Sequence, residues 1–394
     1  MWMTTIFDRV AEVVGRATSS GRDALRRRRL LELPVIPWRT GLLPRAGHGP
    51  MRTVHTEAVV HESYSRRSWL VQRGVRLIAK PLLRLIPVND RTIGMMRRVD
   101  RLSARGPRSR YVEPVKFELG GVPVESMTHR YGPESDMTVL YLHGGGFLSC
   151  GIDSHRRLCE RLALRTGATV ISVDYVQLPD GSVADSVQDA INAYTALVKT
   201  TPHPDKIVVA GDSAGGYLTM KVGELAARRR LPRPAGLIGF SPLLSLDPDS
   251  VDKGVQQVVR YHDAYLPMSK MAKLRPRWMP ESAQMEGEVS PLDATKWISS
   301  PTFLIATEDE ILRPETEAMA LALADRGVPV DLHLWRKQIH AFPVMADLIP
   351  EADQAIRLAA DFARRVVGEL DESPALDARA HVELIGGTAP DDAA

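Results

Sequence analysis

At 394 residues the chain is too long for a small stapled module. At about 150 residues per domain it has room for two or three units, or for one large α/β domain with additions. Its 44% hydrophobic and 25% charged residues are ordinary for a globular chain, and two cysteines, Cys150 and Cys159, exclude a cystine framework. The net charge of +3 hides an asymmetry, because residues 1–110 carry 23 Lys and Arg against 8 Asp and Glu, and the remainder is acidic.

No uncharged apolar run reaches the ~18 residues of a membrane span. Charges within the apolar stretch of MWMTTIFDRVAEVVGRATSSGRDALRRRRL break the order of a secretory leader, so a cytoplasmic chain is expected. The first hundred residues read as helices broken by Pro and Gly. Phe7, Val10, Val13 and Val14 recur at helical spacing, and Pro34, Pro37, Pro44 and Pro50 mark a linker over about residues 33–52. From Trp69 to Leu85 apolar residues alternate with Arg73, Arg76, Lys80 and Arg84, which predicts a cationic helix interrupted at Pro81. The first reading of this stretch turns its apolar face to a core and its basic side chains to water. The second makes it a surface for anionic lipid or an apolar substrate.

From Val112 the pattern changes. VKFELGG and VPVESMTHRY predict a hairpin, after which strands (TVLYL, ATVISVDY, KIVVAG, AGLIGF, PTFLIATED, VDLHLW) alternate with helices. Short β-rich runs separated by longer helical ones imply an α/β fold with a mostly parallel central sheet and helices on both faces. Residues 245–297 interrupt this rhythm and read as an excursion over the C-terminal edge of the sheet, where such folds place ligands. The division expected is a basic helical extension over residues 1–110, an α/β domain over 111–372, and a disordered tail over 373–394.

Gly211-Asp212-Ser213-Ala214-Gly215 follows KIVVA and opens a helix. A nucleophilic serine on a strand-to-helix elbow needs small neighbours because the backbone there is crowded, and the helix N-terminus favours developing negative charge. His143-Gly144-Gly145-Gly146-Phe147 ends an earlier strand, and its three glycines allow backbone N–H groups to turn toward a carbonyl becoming an oxyanion. A phosphate-binding loop is the competing reading, but Ser149 stands where the third glycine of G-x-G-x-x-G belongs and no Lys-Ser/Thr pair follows. In serine-first α/β enzymes the acid and then the base follow at the ends of later strands. PTFLIATEDE offers Glu308, Asp309 and Glu310. VDLHLWRKQIHAF offers His340, whereas His333 lies within the strand. His155 and Cys159, one helical turn apart, form only half of a metal-ligand pattern, and no HExxH is present.

With these two motifs together, the chain resembles the hormone-sensitive-lipase family of α/β-hydrolases, over about residues 112–370. Further marks are Val173-Asp174-Tyr175 with Leu178-Pro179, Ser241-Pro242, Ser290-Pro291-Leu292 and Gly327-Val328-Pro329-Val330. The resemblance implies an α/β-hydrolase fold whose N-terminal segment and second excursion together form a helical cap. It also implies oxyanion-hole donors at Gly145, Gly146 and Ala214. The family's acid lies nine residues after the proline of its strand motif, and from Pro301 that position is Glu310, with Leu312 in the expected leucine place; Asp309 remains the rival. The family's His-Gly-Phe becomes His340-Ala341-Phe342, a departure that narrows the loop behind the base, and its Pro-Glu becomes Pro179-Asp180.

The expected chemistry is carboxylic ester hydrolysis by Ser213, His340 and Glu310 through an acyl-enzyme, on short- to medium-chain acyl esters or lipid esters. His143 is expected to brace the glycine loop. The alternative is a non-catalytic small-molecule binder of the same superfamily, as in members that lost the triad and act as hormone receptors. No cofactor and no metal are expected. The expected partners are the ester substrate, an anionic membrane touched peripherally and a second copy in a homodimer, without nucleic acid.

Overall fold

The computed structural model describes residues 58–103, 106, 108–246, 263–266, 268–371 and 381–382. The expected helix at residues 7–14, the linker at 33–52, and residues 373–380 and 383–394 of the expected tail lie outside the described residues.

Strands β1 (Ala58–His61), β2 (Val112–Leu119), β3 (Val122–His129), β4 (Thr138–Leu142), β5 (Thr169–Val173), β6 (Ile207–Asp212), β7 (Gly236–Phe240), β8 (Thr302–Thr307), β9 (Val330–Trp335) and β10 (His381–Val382) form one sheet. Its order is β10-β1-β9-β8-β7-β6-β4-β5-β3-β2. The pairings from β1 through β9 to β5 are parallel, and the β2–β3 hairpin and its pairing to β5 are antiparallel. Alternation along each strand feeds two cores. Leu140 and Leu142 of β4 face one layer of buried side chains while Val139 and Tyr141 face the other, and Val209 and Val208 of β6 divide in the same way.

The helices are α1 (Arg66–Gly74), α2 (Lys80–Leu85), α3 (Asp90–Leu102), α4 (Ile152–Thr166), α5 (Val183–Thr200), α6 (Ala214–Arg228), α7 (Met268–Trp278), α8 (Arg313–Ala324) and α9 (Pro350–Val366). One core layer joins Leu158 and Leu162 of α4 to Ile356 and Phe362 of α9, and the other joins Val187 and Tyr194 of α5, Leu218 and Leu225 of α6 and Leu323 of α8. The local signals sit where the chain needs them. Ser182 and Asp185 close a capping box on α5, and Gly167 ends α4 in the left-handed conformation.

Two sequence expectations are corrected. The N-terminal extension is not helical throughout, because Ala58–His61 adds a parallel strand against β9, in register from Ala58 with Leu332 to His61 with Trp335. The His61 ring stacks on Trp335 with centroids 3.7 Å apart, and its Nε2 lies 3.0 Å from His333 Nδ1. At the other end, His381 and Val382 form a two-residue strand on β1 rather than tail. A third expectation changes in detail: the interruption at Pro81 is a π-turn over Val75–Ala79 between α1 and α2. The wider turn accommodates a proline that cannot donate to the preceding carbonyls.

Candidate active site

Four parallel strands deliver the site at their C-terminal ends: His143 after β4, Ser213 after β6, Glu310 after β8 and His340 after β9. Ser213 is the residue between β6 and α6, held at φ 50°, ψ −115°. A non-glycine residue there costs of order 1–3 kcal/mol and persists only where its surroundings impose it. Here its N–H donates to the Phe240 carbonyl at 3.0 Å, and its carbonyl accepts from Leu243 N–H at 2.9 Å. The elbow also needs Gly215, because a Cβ there would lie 1.8 Å from the Leu142 carbonyl oxygen.

Ser213 Oγ lies 2.8 Å from His340 Nε2, and His340 Nδ1 lies 3.0 Å from Glu310 Oε2. An ionised carboxylate only accepts, so Nδ1 carries the proton and Nε2 offers its lone pair to the Ser213 hydroxyl. The other Glu310 oxygen accepts the Thr307 N–H at 2.9 Å. Burial by itself would lower the His340 pKa. The hydrogen bond and attraction of Glu310, joined by Asp263 and Asp212, outweigh burial and hold it above the ordinary value. Asp309, the rival acid, lies 4.0 Å from Lys337 Nζ, and Glu308 pairs with Arg336 at 3.2 Å.

Gly145 and Gly146 are at φ 120° and 65°, and a Cβ on Gly145 would come within 1.8 Å of the Ser149 carbonyl oxygen. The Gly145 carbonyl is taken by Leu148 N–H, Ser149 N–H and Ser149 Oγ–H, and Trp278 Nε1 donates to the Gly146 carbonyl at 2.9 Å. The Gly145 carbonyl thereby fixes the peptide that carries the Gly146 N–H, and the Gly144 carbonyl, against His143 Nδ1, fixes the one that carries the Gly145 N–H. Among the described residues neither N–H has an acceptor, and Ala214 opens α6. His143 is buried flat against Tyr175, its Nδ1 2.8 Å from the Gly144 carbonyl, and burial pushes it down to about 3, so it is neutral.

Several contributors escaped the sequence reading. Asp212, adjacent to the serine, accepts from Tyr141 Oη at 2.8 Å and Gly144 N–H at 2.9 Å, and faces His155 Nε2 at 3.2 Å. Burial would raise its carboxyl, but His155 and the two donors hold it below the usual range. His155 is therefore the partner of Asp212; both cysteines are free, and among the described residues no cluster of three or more His, Cys, Asp or Glu could hold a metal ion. Asp263, from the excursion, accepts from Tyr265 N–H at 2.6 Å, Leu266 N–H at 2.7 Å and Ile311 N–H at 3.0 Å, tying the excursion to the peptide after Glu310. Tyr265 stacks on His340 with centroids 6.2 Å apart. The GDS motif made Asp212 visible; nothing local marked Trp278 or Asp263.

A family model described as an α/β-hydrolase fold matches residues 139–344. "Esterase LipU" of Mycobacterium tuberculosis is 34% identical over 244 residues, 58% of this chain and 78% of that protein. "Carboxylesterase/phospholipase LipF" of the same organism is 32% identical over 246 residues, and the chain spans 64% of its length. The crystal structure of a hormone-sensitive lipase from a metagenome library superposes with a TM-score of 0.66 at 27% identity, covering 75% of this chain and 98% of that one. The chain belongs to the α/β-hydrolase family, among its hormone-sensitive-lipase-like members.

Proposed function

We propose that the chain is a serine carboxylic ester hydrolase acting on short- to medium-chain acyl esters or lipid esters, with Ser213 as nucleophile, His340 as base and Glu310 as acid. The observation that carries this reading is the unbroken relay from Glu310 Oε2 through His340 to Ser213 Oγ, at 3.0 and 2.8 Å. The relatives named esterase and carboxylesterase support the same bond class.

Ser213 Oγ attacks the ester carbonyl as its proton passes to His340 Nε2, forming a C–O bond and a tetrahedral oxyanion. The N–H groups of Gly145, Gly146 and Ala214 receive that charge; one such donor is typically worth ~3–4 kcal/mol. Glu310 holds the imidazole proton on Nδ1, leaving the Nε2 lone pair to Ser213, and stabilises the imidazole once protonated. The imidazolium then gives its proton to the departing alkoxide as the ester C–O bond breaks, leaving an acyl-serine. Water repeats the sequence, and the carboxylic acid leaves with Ser213 restored.

In this reading the helices before Val112 and the excursion over residues 245–297 make up the cap. The ion pair between Arg277 of α7 and Asp90 of α3 at 2.6 Å joins the two pieces, and Trp278 carries the cap onto the oxyanion loop. All the proposed reacting groups come from one chain, so the reading needs no second copy. Among the described residues no helix is long and apolar enough to cross a membrane. A p-nitrophenyl ester series from two to sixteen carbons, with Ser213→Ala and a fluorophosphonate label, tests the proposal. Turnover and labelling are expected in the parent and absent in the variant. A folded parent that neither turns over nor labels would favour the binder.

A further inference from the structure

We propose that the outer face of α1 and α2 docks the protein onto an anionic membrane, a role that builds on the esterase reading. An ordinary amphipathic helix buries its large aliphatic side chains. The stretch from α1 through the π-turn to α2 buries Val75 and Ala79 but leaves its larger apolar side chains outside. Leu77 and Leu85 are 68% and 79% exposed, and Ile78, Leu82 and Trp69 are exposed beside them, whereas Ser68, Gln72 and Lys80 are buried. Ile78, Leu82 and Leu85 follow i, i+4, i+7 spacing, which sets them on one stripe.

The charge along the sequence of this stretch is of one sign. From Ser63 to Asn89 the sequence holds six basic residues and no acid. Lys80 turns inward to the Asp263 carbonyl, while Arg66, Arg67, Arg73 and Arg84 stay at the surface, with Arg73 over the Trp69 ring at 5.1 Å. An apolar stripe edged by arginines matches the boundary between acyl chains and anionic headgroups. Residues 1–57 of this chain would be a poorer occupant, since they carry ten Arg against five acids and would bring like charge to the same face.

The buried side of the face leads to the catalytic loops. Lys80 holds Asp263, Asp263 holds the Ile311 peptide beside Glu310, and Tyr265 lies on His340. A protein seated on this face would keep its reacting groups close to a lipid surface.

The test is co-sedimentation of the full chain with vesicles of phosphatidylcholine alone and of phosphatidylcholine mixed with phosphatidylglycerol, at low and high salt. Binding to the mixed vesicles is expected to be at least ~10-fold tighter and to weaken as salt rises, because each basic residue near the surface contributes within a Debye length. Arg66→Glu with Arg67→Glu, and separately Leu77→Ser with Leu85→Ser, should each weaken binding by ~10-fold or more. p-Nitrophenyl acetate turnover and melting temperature should stay within error of the parent. Equal binding to neutral and anionic vesicles, or parental binding by both folded variants, overturns the docking surface. A chain that hydrolyses soluble esters but ignores vesicles refutes docking alone, and one that binds vesicles but hydrolyses no ester refutes the esterase reading alone.

Discussion

Replacing Glu310 by Gln preserves the size of the side chain and turns one acceptor oxygen into a donor. Oε1 accepts the Thr307 N–H at 2.9 Å, so the amide oxygen of the variant has to remain on that side. Its NH₂ group then faces His340 Nδ1 across the 3.0 Å contact, where two donors would clash unless Nδ1 gives up its proton. The imidazole consequently carries its proton on Nε2 and points a donor, not a lone pair, at Ser213 Oγ. Correcting that tautomer and forming an imidazolium without a carboxylate partner cost about 10⁴-fold in kcat, or ~5.4 kcal/mol. Asp309→Asn alters a carboxylate 4.0 Å from Lys337 Nζ, a contact in the range where exposed pairs contribute ~0–1 kcal/mol, so its expected loss is under about fivefold. Steady-state hydrolysis of p-nitrophenyl butyrate by both variants, with melting temperatures in parallel, decides the matter. A larger loss in Asp309→Asn than in Glu310→Gln refutes the assignment.

Three further outcomes are expected. Since Glu310 and its neighbours hold the His340 pKa above 6.5, kcat/KM should fall with acidification on a limb centred above that value, and Glu310→Gln should move the limb downward; an unmoved limb would detach Glu310 from the base. Gly145→Ala would set a Cβ 1.8 Å from the Ser149 carbonyl at φ 120°, so kcat should drop by ~10²–10³ through loss of an aligned donor, and parental turnover would remove Gly145 from the oxyanion hole. Burial pushes His61 down to about 4 and His333 to about 3, so both stay neutral in the fold while the unfolded chain binds protons below 6.5. Stability should therefore fall from pH 6.5 toward 4, and His61→Phe should reduce the slope by up to about one proton, ~1.4 kcal/mol per pH unit, in denaturant melts; an unchanged slope would reject the pairing of β1 with β9 as its source.

Much of the fold was legible because its signals are local. The short apolar run TVLYL predicted a buried strand, and the chain forms β4 there, its side chains divided between two cores. GDSAGG predicted an elbow because only small residues tolerate that approach, and Ser213 stands at φ 50° with Gly215 against Leu142. It was the family resemblance, through its nine-residue count from Pro301, and not a local signal, that pointed to Glu310, and the Glu310 carboxylate lies beside His340.

Other features were beyond any local pattern. Three consecutive acids end β8, and which of them faces the imidazole depends on how that loop meets the loop after β9, some thirty residues later. Trp278 reaches Gly146 across 132 positions, and Asp263 reaches Ile311 across 48. The sequence showed that residues 69–85 would be helical, apolar and cationic, but not which side would face inward. Tertiary packing turned Ser68, Gln72 and Lys80 inward and left Leu77, Leu82 and Leu85 outside, because the direction of a helix face is set by the surfaces it meets and by the partners waiting there, here Glu351 for Ser68 and the Asp263 carbonyl for Lys80.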